Sequence, residues 1–131
     1  MLRAISFVLP LVLWATACCA GDDAGCANAM SQPEMNRCAA DDYARADAAL
    51  NQVYQALMVK LDAARRQRLI GAERAWISFR DAHCDSETMQ SEGGSMHPLL
   101  YDVCLTDLTK KRTAQLQASL DCERGVGKCN D

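Results

Sequence analysis

Histidine is nearly missing from this chain. Two residues, His83 and His97, stand in 131, which excludes most histidine-built metal sites and catalytic triads. Strand signals are also nearly absent, which points away from sheet folds. There is no excess of positive charge. A net charge of −3 and a pI near 5.3 argue against a general nucleic-acid binder, which would usually be basic. Tight metal-binding pairs of the C-x2-C or H-x3-H kind do not occur, and neither does a G-x-S-x-G nucleophile elbow. No internal repeat, low-complexity linker or domain boundary interrupts the sequence, so the length fits one domain. Half of the residues are apolar and 24% are charged, the balance of a folded soluble protein.

Cysteine, by contrast, is plentiful. Eight in 131 residues is dense for a cytosolic protein and ordinary for a small exported one. The first twenty residues read as an export signal. Arg3 gives the positive start, and residues 4–17 form an apolar run too short for a membrane span, which needs roughly 20 residues. Cleavage after Ala20 releases a soluble protein of residues 21–131. Cleavage after Ala15-Thr16-Ala17 would instead leave Cys18 first and open to lipidation, although the usual lipobox leucine is missing. Losing residues 1–20 removes Arg3 and no acid, so the mature charge becomes −4. Six cysteines remain, an even set that reads as a disulfide framework with 15 pairings.

The rest of the chain carries helical periodicity. Ser31-Gln32-Pro33-Glu34 has the form of a helix start, with Ser as cap, Pro in the first turn and Glu reaching back. Met35, Cys38, Ala39, Ala46, Leu50, Val53, Leu57 and Leu61 then recur at three- and four-residue steps. A second helix is expected from about Ala64 to Ser86, with Leu69, Trp76, Ile77, Phe79, Arg80 and Cys84. Glu92-Gly93-Gly94-Ser95 breaks it. A third runs from about Pro98 to Asp121 with Leu100, Cys104, Leu105, Leu108, Leu116 and Leu120. The expected fold is all-α: a small antiparallel three-helix bundle stapled by disulfides.

Register follows from the turns. If the first two helices fold back near residues 63 and 64, facing residue numbers sum to about 127. Asp47 then meets Arg80, Asn51 meets Trp76, and Tyr54 meets Glu73, each set on one helical face. This predicts a structural polar seam: an Asp47–Arg80 ion pair with Asn51 and Tyr54 hydrogen-bonding across. Such a pair fixes register more than it adds stability. Cys84 and Cys104 lie symmetrically about Gly94 and should be bridged. The most local pairing of the others is Cys26–Cys38 and Cys122–Cys129.

Other chemistries are weak. His83, Cys84, His97 and Cys104 lack zinc-ligand spacing, so no metal or cofactor is expected. Ser78, Ser91 or Ser95 beside a histidine would be needed for a nucleophile, and a small bundle offers little room for a deep pocket. No enzymatic activity is expected. Gly93-Gly94-Ser95 reads as a turn. The clusters Arg65-Arg66-Gln67-Arg68 and Lys110-Lys111-Arg112 read as solvated faces, not as a nucleic-acid site.

The run Ala46-Asp47-x-x-Leu50-Asn51-x-x-Tyr54-x-x-Leu57 is followed by Ala72-Glu73-Arg74-Ala75-Trp76-Ile77-Ser78-Phe79-Arg80-Asp81-Ala82-x-Cys84, then Glu92-Gly93-Gly94-Ser95, Cys104-Leu105 and Arg112. Together these resemble the lysozyme inhibitor LprI-like family, from Cys26 to about Cys129. The resemblance implies an exported, helical, disulfide-bonded protein of the bacterial periplasm or envelope, with lysozyme as the partner. The alternative is an envelope structural or stress-related protein with another partner. An acidic inhibitor would gain on-rate toward a cationic lysozyme. The loop from Glu92 to Pro98 is the candidate inhibitory element, with Glu92, Ser95, Met96 and His97 as contact residues.

Overall fold

The computed structural model describes residues 28–127. The expected signal segment, Cys18, Cys26 and Cys129 lie outside the described residues. Three helices fill the described chain: α1 (Gln32–Lys60), α2 (Ala63–Thr88) and α3 (His97–Glu123), with one 3-10 turn at Met89–Ser91. Among the described residues there is no strand. None of the three helices is long and apolar enough to cross a membrane.

Each helix boundary has a local cause. Ser31 is extended (φ −116°, ψ 153°), and the Glu34 carboxylate accepts from its backbone N–H at 3.0 Å and its hydroxyl at 2.8 Å. These bonds hold the Glu34 carboxyl below its ordinary pKa. Leu61 leaves α1 in an extended conformation and buries its side chain. Asp62 then caps α2 by accepting the Arg65 backbone N–H at 2.9 Å. The end of α3 is a Schellman turn: Val126 N–H bonds Asp121 C=O, Gly125 N–H bonds Cys122 C=O, and Gly125 takes φ +72°.

Consecutive helices are antiparallel, so α1 and α3 run in the same direction. These two pack along their length, while α2 leans on α3 and stands off α1. The main core lies at one end, where Leu50, Leu57 and Leu61 of the first helix and its turn meet Leu116 and Leu120 of α3. Leu69, Trp76 and Tyr54 pack against it. At about 1.5–3 kcal/mol per buried leucine, this cluster is the chief apolar contribution to the fold. At the other end Ala39 and Ala46 lie buried, as do Leu105, Thr106 and Thr109 of α3. There Cys84 and Cys104 form a disulfide with a Cα–Cα distance of 5.7 Å, and Cys84 is fully buried. Cys38 and Cys122 are also disulfide-bonded, but Cys84–Cys104 is the one bridge lying wholly within the described residues.

The inward stripe of α2 matches the expected one at Leu69, Trp76, Arg80 and Cys84 and departs from it at Ile77 and Phe79. Its buried residues are Glu73, Arg80, Cys84 and Thr88, with Trp76 half-buried among them and Leu69 half-buried one turn before Glu73. Ile77 and Phe79 are 44% and 56% exposed. Once Trp76, Arg80 and Cys84 face inward, a rotation of about 100° per residue turns Ile77 and Phe79 away to the flanks.

Candidate functional site

Arg80 is the centre of the polar seam. Its side chain is buried, and its guanidinium carbon lies 5.2 Å from the centroid of Trp76 and 5.4 Å from that of Tyr43. The charge is thus held between two aromatic rings. Its Nε donates to Asp81 Oδ1 at 2.8 Å, and its NH1 lies 3.9 Å from Asp47 Oδ1. Burial raises the pKa of the Tyr43 hydroxyl, because desolvation disfavours the phenolate.

The other expected cross-seam bonds do not form, and the Tyr54 hydroxyl has no partner among the described residues. Asn51 donates to Asp47 Oδ2 at 2.9 Å, along α1 and not across to α2. Glu73 is paired from the opposite side: Arg112 of α3 donates to Glu73 Oε1 from Nε at 2.9 Å and also from NH2. Arg112 also lies 6.0 Å over Trp76. The reading of Arg112 as part of a solvated basic face is therefore corrected, since its side chain is only 18% exposed. Lys111 next to it does remain on the surface, bonded to Asp107 at 2.7 Å.

The physical reason is the stance of α2. Its buried charges are neutralised by α3 and by its own Asp81, so α1 has no strong polar partner to draw it in. A groove of about 420 Å³ lies between α1 and α2. All six residues of the expected seam line it: Asp47, Asn51, Tyr54, Glu73, Trp76 and Arg80. Arg74 and the aliphatic side chains of Leu50, Ile70 and Ile77 complete the walls.

Tyr43 escaped the sequence reading, and Asp81 and Arg112 entered it as motif residues without a place in the seam. Arg112 had a usable signal. The Cys84–Cys104 bridge sets facing numbers on α2 and α3 to about 188, which places Arg112 opposite Trp76 and one turn from Glu73.

The loop forms a second feature. Gly93 takes φ +76°, Gly94 N–H bonds Ser91 C=O at 2.9 Å, and His97 N–H bonds Gly94 C=O at 3.2 Å. A Cβ on Gly94 would sit 3.0 Å from the Ser91 carbonyl oxygen, so both glycines serve the turn. Asn36 of α1 donates to Ser95 C=O at 3.0 Å and ties the loop to the bundle. Glu92, Ser95 and Met96 are exposed, while His97 is half-buried and stacks on Tyr101.

Ser91 and His97 do meet, at 3.2 Å between Oγ and Nδ1. The Ser91 hydroxyl, however, has one proton and donates it to Thr88 C=O at 2.7 Å. His97 Nδ1–H must then donate to Ser91 Oγ. That polarity is the reverse of a base activating a nucleophile, and it makes the pair a loop brace. The bridged sulfurs of Cys84 and Cys104 offer no thiolate to a metal.

Comparison with known proteins adds a family. The family model described as Lysozyme inhibitor LprI matches residues 23–116. An uncharacterized protein of Rhizobium meliloti (strain 1021) is 35% identical over 135 residues, covering 92% of this chain and 97% of its own length. No solved structure matches.

Proposed function

Because the chain belongs to the lysozyme inhibitor LprI family, we propose that it is an exported envelope protein that binds lysozyme and blocks it without turnover. The loop between α2 and α3 is the element that enters the enzyme's cleft. The observation that carries this is the bracing of that loop. Asn36 holds the Ser95 carbonyl, His97 holds Ser91, and the Cys84–Cys104 bridge joins the two helices behind it. A loop already fixed in shape loses little entropy on binding. From it project Glu92, Ser95 and the half-exposed Met96, and Leu100 and Val103 continue the apolar stripe of Met96 along α3 at helical spacing. The acidic balance of the chain favours encounter with a cationic enzyme.

The test is a cell-wall lysis assay with oxidised protein, repeated after reduction and alkylation. Inhibition should saturate at one inhibitor per enzyme and disappear on reduction. Ser95→Ala with Met96→Ala should weaken inhibition about tenfold or more while leaving the melting temperature unchanged, since both side chains are exposed. Folded, helical protein that inhibits no lysozyme type would sink the proposal and leave an envelope interaction protein with another partner. Full inhibition by the double variant would remove the loop from the mechanism.

A further inference from the structure

The groove between α1 and α2 has the makings of a ligand site, and its chemistry is readable from its walls. It cannot close by collapse. Its floor holds the buried Arg80 and Glu73, and pressing α1 down on them would strip water from charges already fixed by other partners. Several polar groups on the walls have unused hydrogen-bonding capacity. The Tyr54 hydroxyl and the Arg74 guanidinium have no partner among the described residues. Both bonds from Arg112 land on one oxygen of Glu73, so Oε2 is open among the described residues. The Asn51 amide donates to Asp47 and keeps its oxygen.

Charge narrows the ligand. Arg74, Arg80 and Arg112 balance Asp47, Glu73 and Asp81, so the site has no net preference for either sign. A cation would find Trp76 already engaged by Arg80 and Arg112. An anion would find only Arg74 unpaired. A peptide strand needs an open backbone edge, and the described residues contain only helices and turns, whose backbone groups are largely paired internally. A peptide helix needs apolar anchor pockets, and this floor is charged. What remains is an uncharged molecule with many donors and acceptors on its rim and an apolar C–H face toward Ile70 and Ile77. We infer that the groove binds a neutral saccharide of one or two rings. The volume of about 420 Å³ lies toward the small end of ligand sites of roughly 300–1,000 Å³. This inference does not depend on the lysozyme reading.

The sequence holds two tryptophans, Trp14 and Trp76. In the chain carrying Trp14→Phe, fluorescence reports the groove alone. Titration with N,N′-diacetylchitobiose and with maltose should shift Trp76 emission for at least one of them. Tyr54→Phe and Arg74→Ala should each weaken that response several-fold while the far-ultraviolet circular dichroism stays the same. Tyr54→Phe keeps the ring that packs on the core, and Arg74 is exposed, so neither should unfold the bundle. Inhibition of lysozyme is measured on the same samples and read separately. No spectral change with either neutral disaccharide at about 10 mM, above a weak millimolar site, would overturn the inference. So would a response confined to an acidic disaccharide such as digalacturonate.

Discussion

The two ends of this bundle are held together by different physics. At the end where α1 turns into α2, five leucines form an apolar cluster, and Arg65 of α2 pairs with Glu123 of α3 over its rim. At the end where α2 turns into α3, the buried residues other than Leu105 are small or polar. Ala39, Ala46, Thr106 and Thr109 pack there, and the Thr106 and Thr109 hydroxyls are buried without hydrogen-bond partners among the described residues. That end carries the Cys84–Cys104 bridge and the braced loop. Small residues let α1 and α3 approach but bury little apolar area, so covalent closure substitutes for a core. The loop proposed to bind lysozyme thus sits on the end closed by the Cys84–Cys104 bridge.

The largest test of this contrast is Leu120→Ala. Leu120 is 2% exposed within the leucine cluster, and its truncation should cost about 4 kcal/mol and lower the melting temperature of the whole domain. A loss under about 1 kcal/mol in denaturant titration would mean the leucine end does not dominate.

Removing the bridge with Cys84→Ala and Cys104→Ala comes next. The linked residues are 20 apart, and the loss should be about 3 kcal/mol. Hydrogen exchange should show where it falls: protection should drop first around the loop and the start of α3, while the leucine-end amides keep theirs. Equal loss at both ends would break the comparison.

Thr109→Val is smaller and has the opposite sign. It replaces a fully buried, unpartnered hydroxyl with a methyl of similar size, and stability should rise by about 1 kcal/mol. A fall in melting temperature would show that the hydroxyl has a partner after all.

Acid provides the gentlest probe. The Asp62 carboxyl is held below its ordinary value of 3.8 by the Arg65 backbone N–H. The Glu123 carboxyl is held below its ordinary 4.5 by the hydrogen bond from Arg65. A lowered carboxylate pKa gives stability that is present above the ordinary value and lost as pH falls through the folded one. Asp102, near the disulfide, is shifted upward by burial, so its contribution runs the other way and eases on acidification. Melting temperature measured from pH 7 down to about 3 should therefore fall. Asp62→Asn with Glu123→Gln should flatten that fall, and an unchanged slope would remove these groups from the account.

Most of the helical frame was legible because its causes are local. The Ser31 cap, the glycine turn at Gly93-Gly94 and the leucine spacing each act within a few residues, and the symmetric placing of Cys84 and Cys104 about the turn gave the bridge. The polar seam was legible as a set of residues on facing helical surfaces. Its bonding was not. The sum rule for α1 and α2 assumed that the two helices touch along their length, and it contains no information about a third helix competing for the same charges.

The sequence by itself determined that this protein is helical, where its helices begin and end, and which family it belongs to. These depend on short-range backbone preferences and on motifs read in order. Only the tertiary structure decided that Arg112 takes Glu73, that Arg80 lies between Tyr43 and Trp76, and that a groove stays open beside them. Each of those outcomes is a competition between distant groups for one burial site, settled by which helix α2 leans on.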